Sequence, residues 1–231
     1  MRDSTGSFRD GRRREPALNV PPVLAGLVLL LVAAHAARLA AGLDADRFAF
    51  TSTSLERGDW PTIVSYVFVH ASWAHVLMNA LFSLAFGAPV VRLLGSSWRG
   101  AAAFVLFYLV CGALAALGYA AWREGAVLLR ASPHPWALVG ASGAASGLMG
   151  AAGRLMDGRG GLGEAFGRRS VTLAAAWIAA NVLLGLSGLT PGAAGMPVAW
   201  EAHIMGFFAG LALIGPAARL AGVRGDPVSV T

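Results

Sequence analysis

Residues 100–121 read GAAAFVLFYLVCGALAALGYAA, 22 residues without a single charge. A bilayer hydrocarbon core about 30 Å thick is crossed by ~20 apolar residues in a helix. Backbone polar groups cannot stay unpaired in lipid, and no alternating ten-residue strand pattern is present, so this stretch reads as a transmembrane helix. Outward from it, five more segments qualify or nearly qualify: residues 20–41, 73–91, 141–155, 171–186 and 201–220. The segment 141–155 is short and rich in Gly. The expected fold class is therefore an all-α membrane protein with six transmembrane helices.

Composition supports this reading. Of 231 residues, 56% are hydrophobic and 13% charged, and the mean hydropathy is +0.63. Soluble domains carry roughly 25% charged residues, so a water-soluble enzyme would lack its charged shell. Disorder is excluded because it requires low hydrophobicity.

The net charge of +6 does not imply nucleic acid as a partner. All 18 basic residues are Arg, and they lie between the apolar runs instead of along one stripe. With six spans both termini share a side, and thirteen Arg fall on it: Arg2, Arg9, Arg12, Arg13, Arg14, Arg92, Arg99, Arg154, Arg159, Arg168, Arg169, Arg219 and Arg224. Four fall opposite, at Arg47, Arg57, Arg123 and Arg130, and Arg38 near the outer end of the first span can snorkel. Positive loops stay inside, so both termini are expected in the cytoplasm. Three parts follow: an Arg-rich disordered tail (1–19), a membrane domain (20–220) and a short cytoplasmic tail (221–231). The lack of Lys beside abundant Ala, Gly and Arg points to a GC-rich genome and a bacterial inner membrane. Single Cys111 excludes an internal disulfide or a Cys-based metal site.

Residues 42–72 connect the first two spans and carry Phe48, Phe50, Trp60, Tyr66 and Phe68. Such aromatic density fits either an interfacial belt or a loop embedded sideways in the outer leaflet.

Polar groups within a membrane are costly and mark functional sites. Three segments deliver such groups from the outer side. His70-Ala-Ser-Trp-Ala-His75-Val-Leu-Met-Asn79 enters the second span, with His75 and Asn79 on one face at i, i+4. Gly140-Ala141-Ser142-Gly143 enters the fourth, and Ala202-His203-Ile-Met-Gly206-Phe-Phe-Ala-Gly210 enters the sixth. This set suits acyl transfer. A Ser hydroxyl needs an adjacent base, for which His is the usual choice. An oxyanion needs donors, which Asn, His and the free N–H groups where a helix begins at Ser142 can supply. Glu201 is two residues from His203 on a different face, so a Ser142–His203 dyad is the economical reading. Each motif alone also has a packing explanation, because small residues are ordinary at membrane helix contacts. In the sixth span His203, Gly206 and Gly210 share a face, and Gly143, Gly147 and Gly150 form a small stripe beside Ser142.

The run H-x4-H-x3-N at His70, His75 and Asn79, the G-x-S-G at Gly140–Gly143 and the A-H-x2-G-x3-G at Ala202–Gly210 together resemble the rhomboid intramembrane serine proteases. The resemblance covers residues 20–220. It implies a six-helix rhomboid-like bundle that cleaves transmembrane segments of other proteins, with Ser142 as nucleophile and His203 as general base. It also implies an oxyanion site of His75, Asn79 and backbone N–H groups at Ala141 and Ser142, a structural role for His70, and no cofactor or metal. Two positions depart from the family pattern. Ser146 stands where an aromatic often stacks on the catalytic His, so a different support for His203 is required, a neighbouring aromatic being one candidate. Pro61 follows Trp60 where Arg is common.

His35 and His134 lack motif partners, and Cys111 reads as core. Trp177 and Asn181 in the fifth span are candidates for lining a substrate gate or for ordinary packing. Two other function classes compete: a non-catalytic relative that escorts membrane clients, and a haem protein using paired membrane His residues. A zinc protease is disfavoured by the absence of H-E-x-x-H.

Overall fold

The computed structural model describes residues 20–128, 135–158, 161–188 and 197–223. Its helices are α1 (Pro22–Ala40), α2 (Thr62–Ser65), α3 (Trp73–Leu94), α4 (Trp98–Leu128), α5 (Ser142–Asp157), α6 (Arg168–Ser187) and α7 (Trp200–Ala221). A 3₁₀ turn spans Tyr66–Phe68, and two short strands, β1 (Phe50–Thr51) and β2 (Ala137–Leu138), pair antiparallel with Phe50 opposite Leu138. Among the described residues, five helices are long and apolar enough to cross a membrane: α1, α3, the bulk of α4, α6 and α7. The tails, His134 and the loop before α7 lie partly or wholly outside the described residues.

The segment read as a fourth span forms α5, which has only 16 residues. Gly and Ala dominate it, and every residue from Gly143 to Gly153 is buried. The reason is its position. α5 packs on α7 and is flanked by α3, α4 and α6, so its small side chains meet protein on all sides. Helix contacts in lipid rely on close packing because no hydrophobic drive acts between helices. A Cβ on Gly206 would overlap the Gly143 carbonyl, and one on Gly210 would overlap the Gly147 carbonyl. Gly147 in turn lies against Cys111 of α4.

α1 packs mainly on α3, through a stripe of Leu24, Leu27, Leu31 and His35 at helical spacing. α3 begins at a Ser72 cap that accepts the His75 N–H at 3.1 Å. At the far end of α5, Asp157 accepts the Ser170 N–H at 2.8 Å and the Arg169 N–H at 3.0 Å, which closes the α5–α6 connection.

In residues 42–72, Phe50 and Tyr66 are buried in the core, whereas Trp60 is exposed. Tyr66 donates its hydroxyl to the Gly112 carbonyl of α4 at 2.7 Å and accepts the Gly140 N–H on its own carbonyl at 2.9 Å. The β1–β2 pair and this turn tie the segment to the loop immediately before Ser142.

Candidate active site

Ser142 is the first residue of α5, so its N–H has no partner within the helix. The turn before it depends on Gly140, at φ +108°, where an L side chain is strained. A Cβ there would also lie 2.7 Å from the His75 ring. Glycine thus serves twice, allowing the turn and letting His75 and Asn79 approach the backbone.

His203 lies in the first turn of α7. Its Nε2 is 2.8 Å from Ser142 Oγ, and its Nδ1 is 2.7 Å from Asn181 Oδ1 on α6. Asn181 Nδ2 donates to the Trp177 carbonyl at 2.9 Å. The Trp177 ring lies 6.1 Å from the imidazole, tilted by 33°. Ser146 does not support the imidazole; its hydroxyl donates to the Ser142 carbonyl at 2.7 Å.

On the opposite wall, His75 Nδ1 accepts the Ala71 N–H at 3.5 Å. With that nitrogen an acceptor, a neutral ring carries its proton on Nε2, the atom beside Gly140. Asn79 is buried, and its Nδ2 donor has no hydrogen-bond partner among the described residues. A buried donor left unpaired costs about 1–3 kcal/mol, so an acceptor reaching this amide would be favoured. The Ala141 N–H, expected among the oxyanion donors, is instead directed at His70 Nε2, 3.4 Å away. His70 is fully buried. Burial, followed by the neighbouring His75 and His35, pushes its pKa down to about 3, which keeps the ring neutral and able to accept. His35 lies edge-on to His70 at 6.2 Å and to Trp73 at 4.8 Å, away from Ser142.

Ser142, His203, His75, Asn79, Asn181 and Trp177 line a cavity of about 310 Å³, walled also by the segments 137–139 and 197–199, whereas His70 and His35 are not among its lining residues. Phe82 of α3 meets Trp177 of α6 at 5.3 Å on one side of it. The motif residues from α3, α5 and α7 therefore meet in one place, joined by Asn181 and Trp177 of α6. The sequence signal for Asn181 was a lone amide in an apolar span, one turn beyond Trp177. Among the described residues, no three His, Cys, Asp or Glu side chains are grouped to hold a metal ion.

Chemically, the arrangement offers a hydroxyl bonded to an imidazole and, across the cavity, the Asn79 amide donor that has no partner among the described residues. The family model for the Rhomboid domain matches residues 57–219 of the chain. None of the curated proteins matches it.

Proposed function

Because the chain belongs to the rhomboid family of intramembrane serine proteases, we propose that it hydrolyses peptide bonds in transmembrane segments of other membrane proteins, with Ser142 as nucleophile and His203 as general base. The observation carrying this reading is the 2.8 Å separation of Ser142 Oγ and His203 Nε2, within reach for proton transfer.

In the proposed reaction, Ser142 Oγ attacks the scissile carbonyl carbon while its proton passes to His203 Nε2. The carbonyl oxygen becomes an oxyanion held by His75 Nε2–H, the unpaired Asn79 Nδ2 and the Ser142 N–H. The C–N bond then breaks, the leaving amine takes the proton from His203, and an acyl-enzyme remains on Ser142. Water, deprotonated by His203, attacks that ester, and the acid product leaves with Ser142 reprotonated. A helical substrate hides its carbonyls in i→i+4 bonds, so cleavage sites should hold Gly or other weak helix formers that unwind readily.

We read α5 as a sixth, short crossing inside the five longer helices, with both termini in the cytoplasm as the Arg distribution requires. Residues 20–220 then form one membrane domain with a tail at each end, and Ser142 and His203 both lie toward the outer leaflet. Substrates and lipid are the partners this implies.

The test is labelling of detergent-solubilised protein with a serine-reactive fluorophosphonate, which requires no substrate. Wild type should label, and Ser142→Ala and His203→Ala should not. Labelling that persists in Ser142→Ala overturns the nucleophile assignment, with Ser146 one turn along as the rival.

A further inference from the structure

We propose that Asn181 is the positioning residue for His203, so that a Ser142–His203–Asn181 series does the work of a triad; this rests on the protease reading above. The argument follows donors and acceptors along the series. The Trp177 carbonyl can only accept, so the end of the Asn181 amide 2.9 Å from it is Nδ2. Oδ1 therefore faces His203 Nδ1, at 2.7 Å. An acceptor there requires that Nδ1 carry the imidazole proton. The Nε2 lone pair is then free for the Ser142 hydroxyl at 2.8 Å. One backbone carbonyl thus selects the tautomer in which His203 is a base toward Ser142. During attack the Ser142 proton moves to Nε2, while the Nδ1 proton stays bonded to Asn181 and is not transferred.

Packing alone does not account for Asn181. Of the residues of α6, only Ser170 and Asn181 are buried, and the remainder of the helix face around Asn181 is exposed or half-buried. An amide placed in an apolar helix needs partners, and Asn181 spends both ends on the series. α5 supplies no alternative support, because the Ser146 hydroxyl is committed to the Ser142 carbonyl. With no ring stacked from α5, the restraint on the imidazole comes from α6, where the Asn181 amide bonds Nδ1 at 2.7 Å and the Trp177 ring lies beside it at 6.1 Å.

The experiment has two arms. In the first, ¹⁵N-histidine NMR of the full-length wild-type protein in micelles reads the His203 tautomer, assigned by comparison with His203→Ala. The expected result is a proton on Nδ1; a proton on Nε2 overturns the proposal whatever any variant does. In the second, Asn181→Ala is compared with wild type for its fluorophosphonate labelling rate and for kcat and KM on a cleavable transmembrane peptide. Misplacing a reacting group by about 1 Å costs on the order of 10²-fold, so labelling rate and kcat should both fall by ~10²-fold, with KM within about twofold. A labelling rate equal to wild type with a raised KM would make Asn181 a wall of the substrate path and overturn the proposal. Wild type that never labels overturns the protease reading itself, and the role of Asn181 with it.

Discussion

Gly206 of α7 rests directly on the Gly143 carbonyl of α5, with no room between them for a side chain. That contact lies one turn below His203 and one residue beyond Ser142, so it sets the separation of the two helices where the hydroxyl meets the imidazole. Gly206→Val should insert into the membrane yet be nearly inactive, with an overpacking cost of ~1–3 kcal/mol. Gly206→Ala should also lose most activity, because its first added carbon already meets a backbone oxygen that cannot rotate away. Peptidase rate and thermal unfolding of the two variants check this; a wild-type rate in either would mean that the α5–α7 spacing is not what aligns the site.

Asn79→Ala removes the buried donor that has no partner among the described residues. In the proposed mechanism kcat should drop ~10²–10³-fold, the usual effect of losing one oxyanion donor. Stability should hold or rise, since an unsatisfied amide is removed. Unchanged kcat on a transmembrane substrate would reduce Asn79 to a packing residue.

Gly140→Ala places a methyl group at φ +108° and against the His75 ring. The strain is of order 1–3 kcal/mol, and relief by movement of His75 should abolish fluorophosphonate labelling even where the protein remains folded. Circular dichroism melting beside probe labelling separates the two effects.

His70 links stability to pH. Its folded pKa of about 3 lies below the usual value near 6.5, so between those values the unfolded chain binds a proton that the folded chain refuses. Stability from this site is complete above about pH 6.5 and is lost as pH falls toward 3. His70→Gln, which keeps a hydrogen-bonding group beside the Ala141 N–H, should be less sensitive to acid. Melting temperatures of both proteins measured from pH 7 to pH 4 test the difference; equal slopes would remove His70 as the source.

Much of the architecture was legible because apolar length is a direct physical signal. The runs around residues 100–121 and 201–220 appear as α4 and α7 with ends a few residues away. α4 continues past the apolar run to Leu128, through Trp122, Arg123 and Glu124 and despite Gly125, a weak helix former. Which aromatics of residues 42–72 turn into the protein core was not legible. Whether Phe50 turns inward depends on a two-residue strand pairing with Leu138, far along the chain, and no local pattern encodes it. For the candidate site, the motifs singled out Ser142, His203, His75 and Asn79, which the fold brings to one cavity, but left Asn181 ambiguous. Its meaning depends on how α6 is rotated about its axis, and an apolar helix with weak amphipathicity does not reveal that rotation.

The shortness of α5 bears on how the second reactant is supplied. Sixteen residues make a helix ~24 Å long, against a hydrocarbon core of about 30 Å. α3, α4 and α7, with 22, 31 and 22 residues, extend past it. In the proposed six-span arrangement the shortfall is enclosed by the neighbouring helices, so the cavity beside Ser142 lies within protein and the lipid need not thin to meet α5. Deacylation in the proposed reaction consumes one water per turnover, which this cavity would have to admit. The proposed peptide substrate would arrive through the lipid. Longer acyl chains should therefore alter KM, through the substrate's own mismatch, and leave kcat nearly constant.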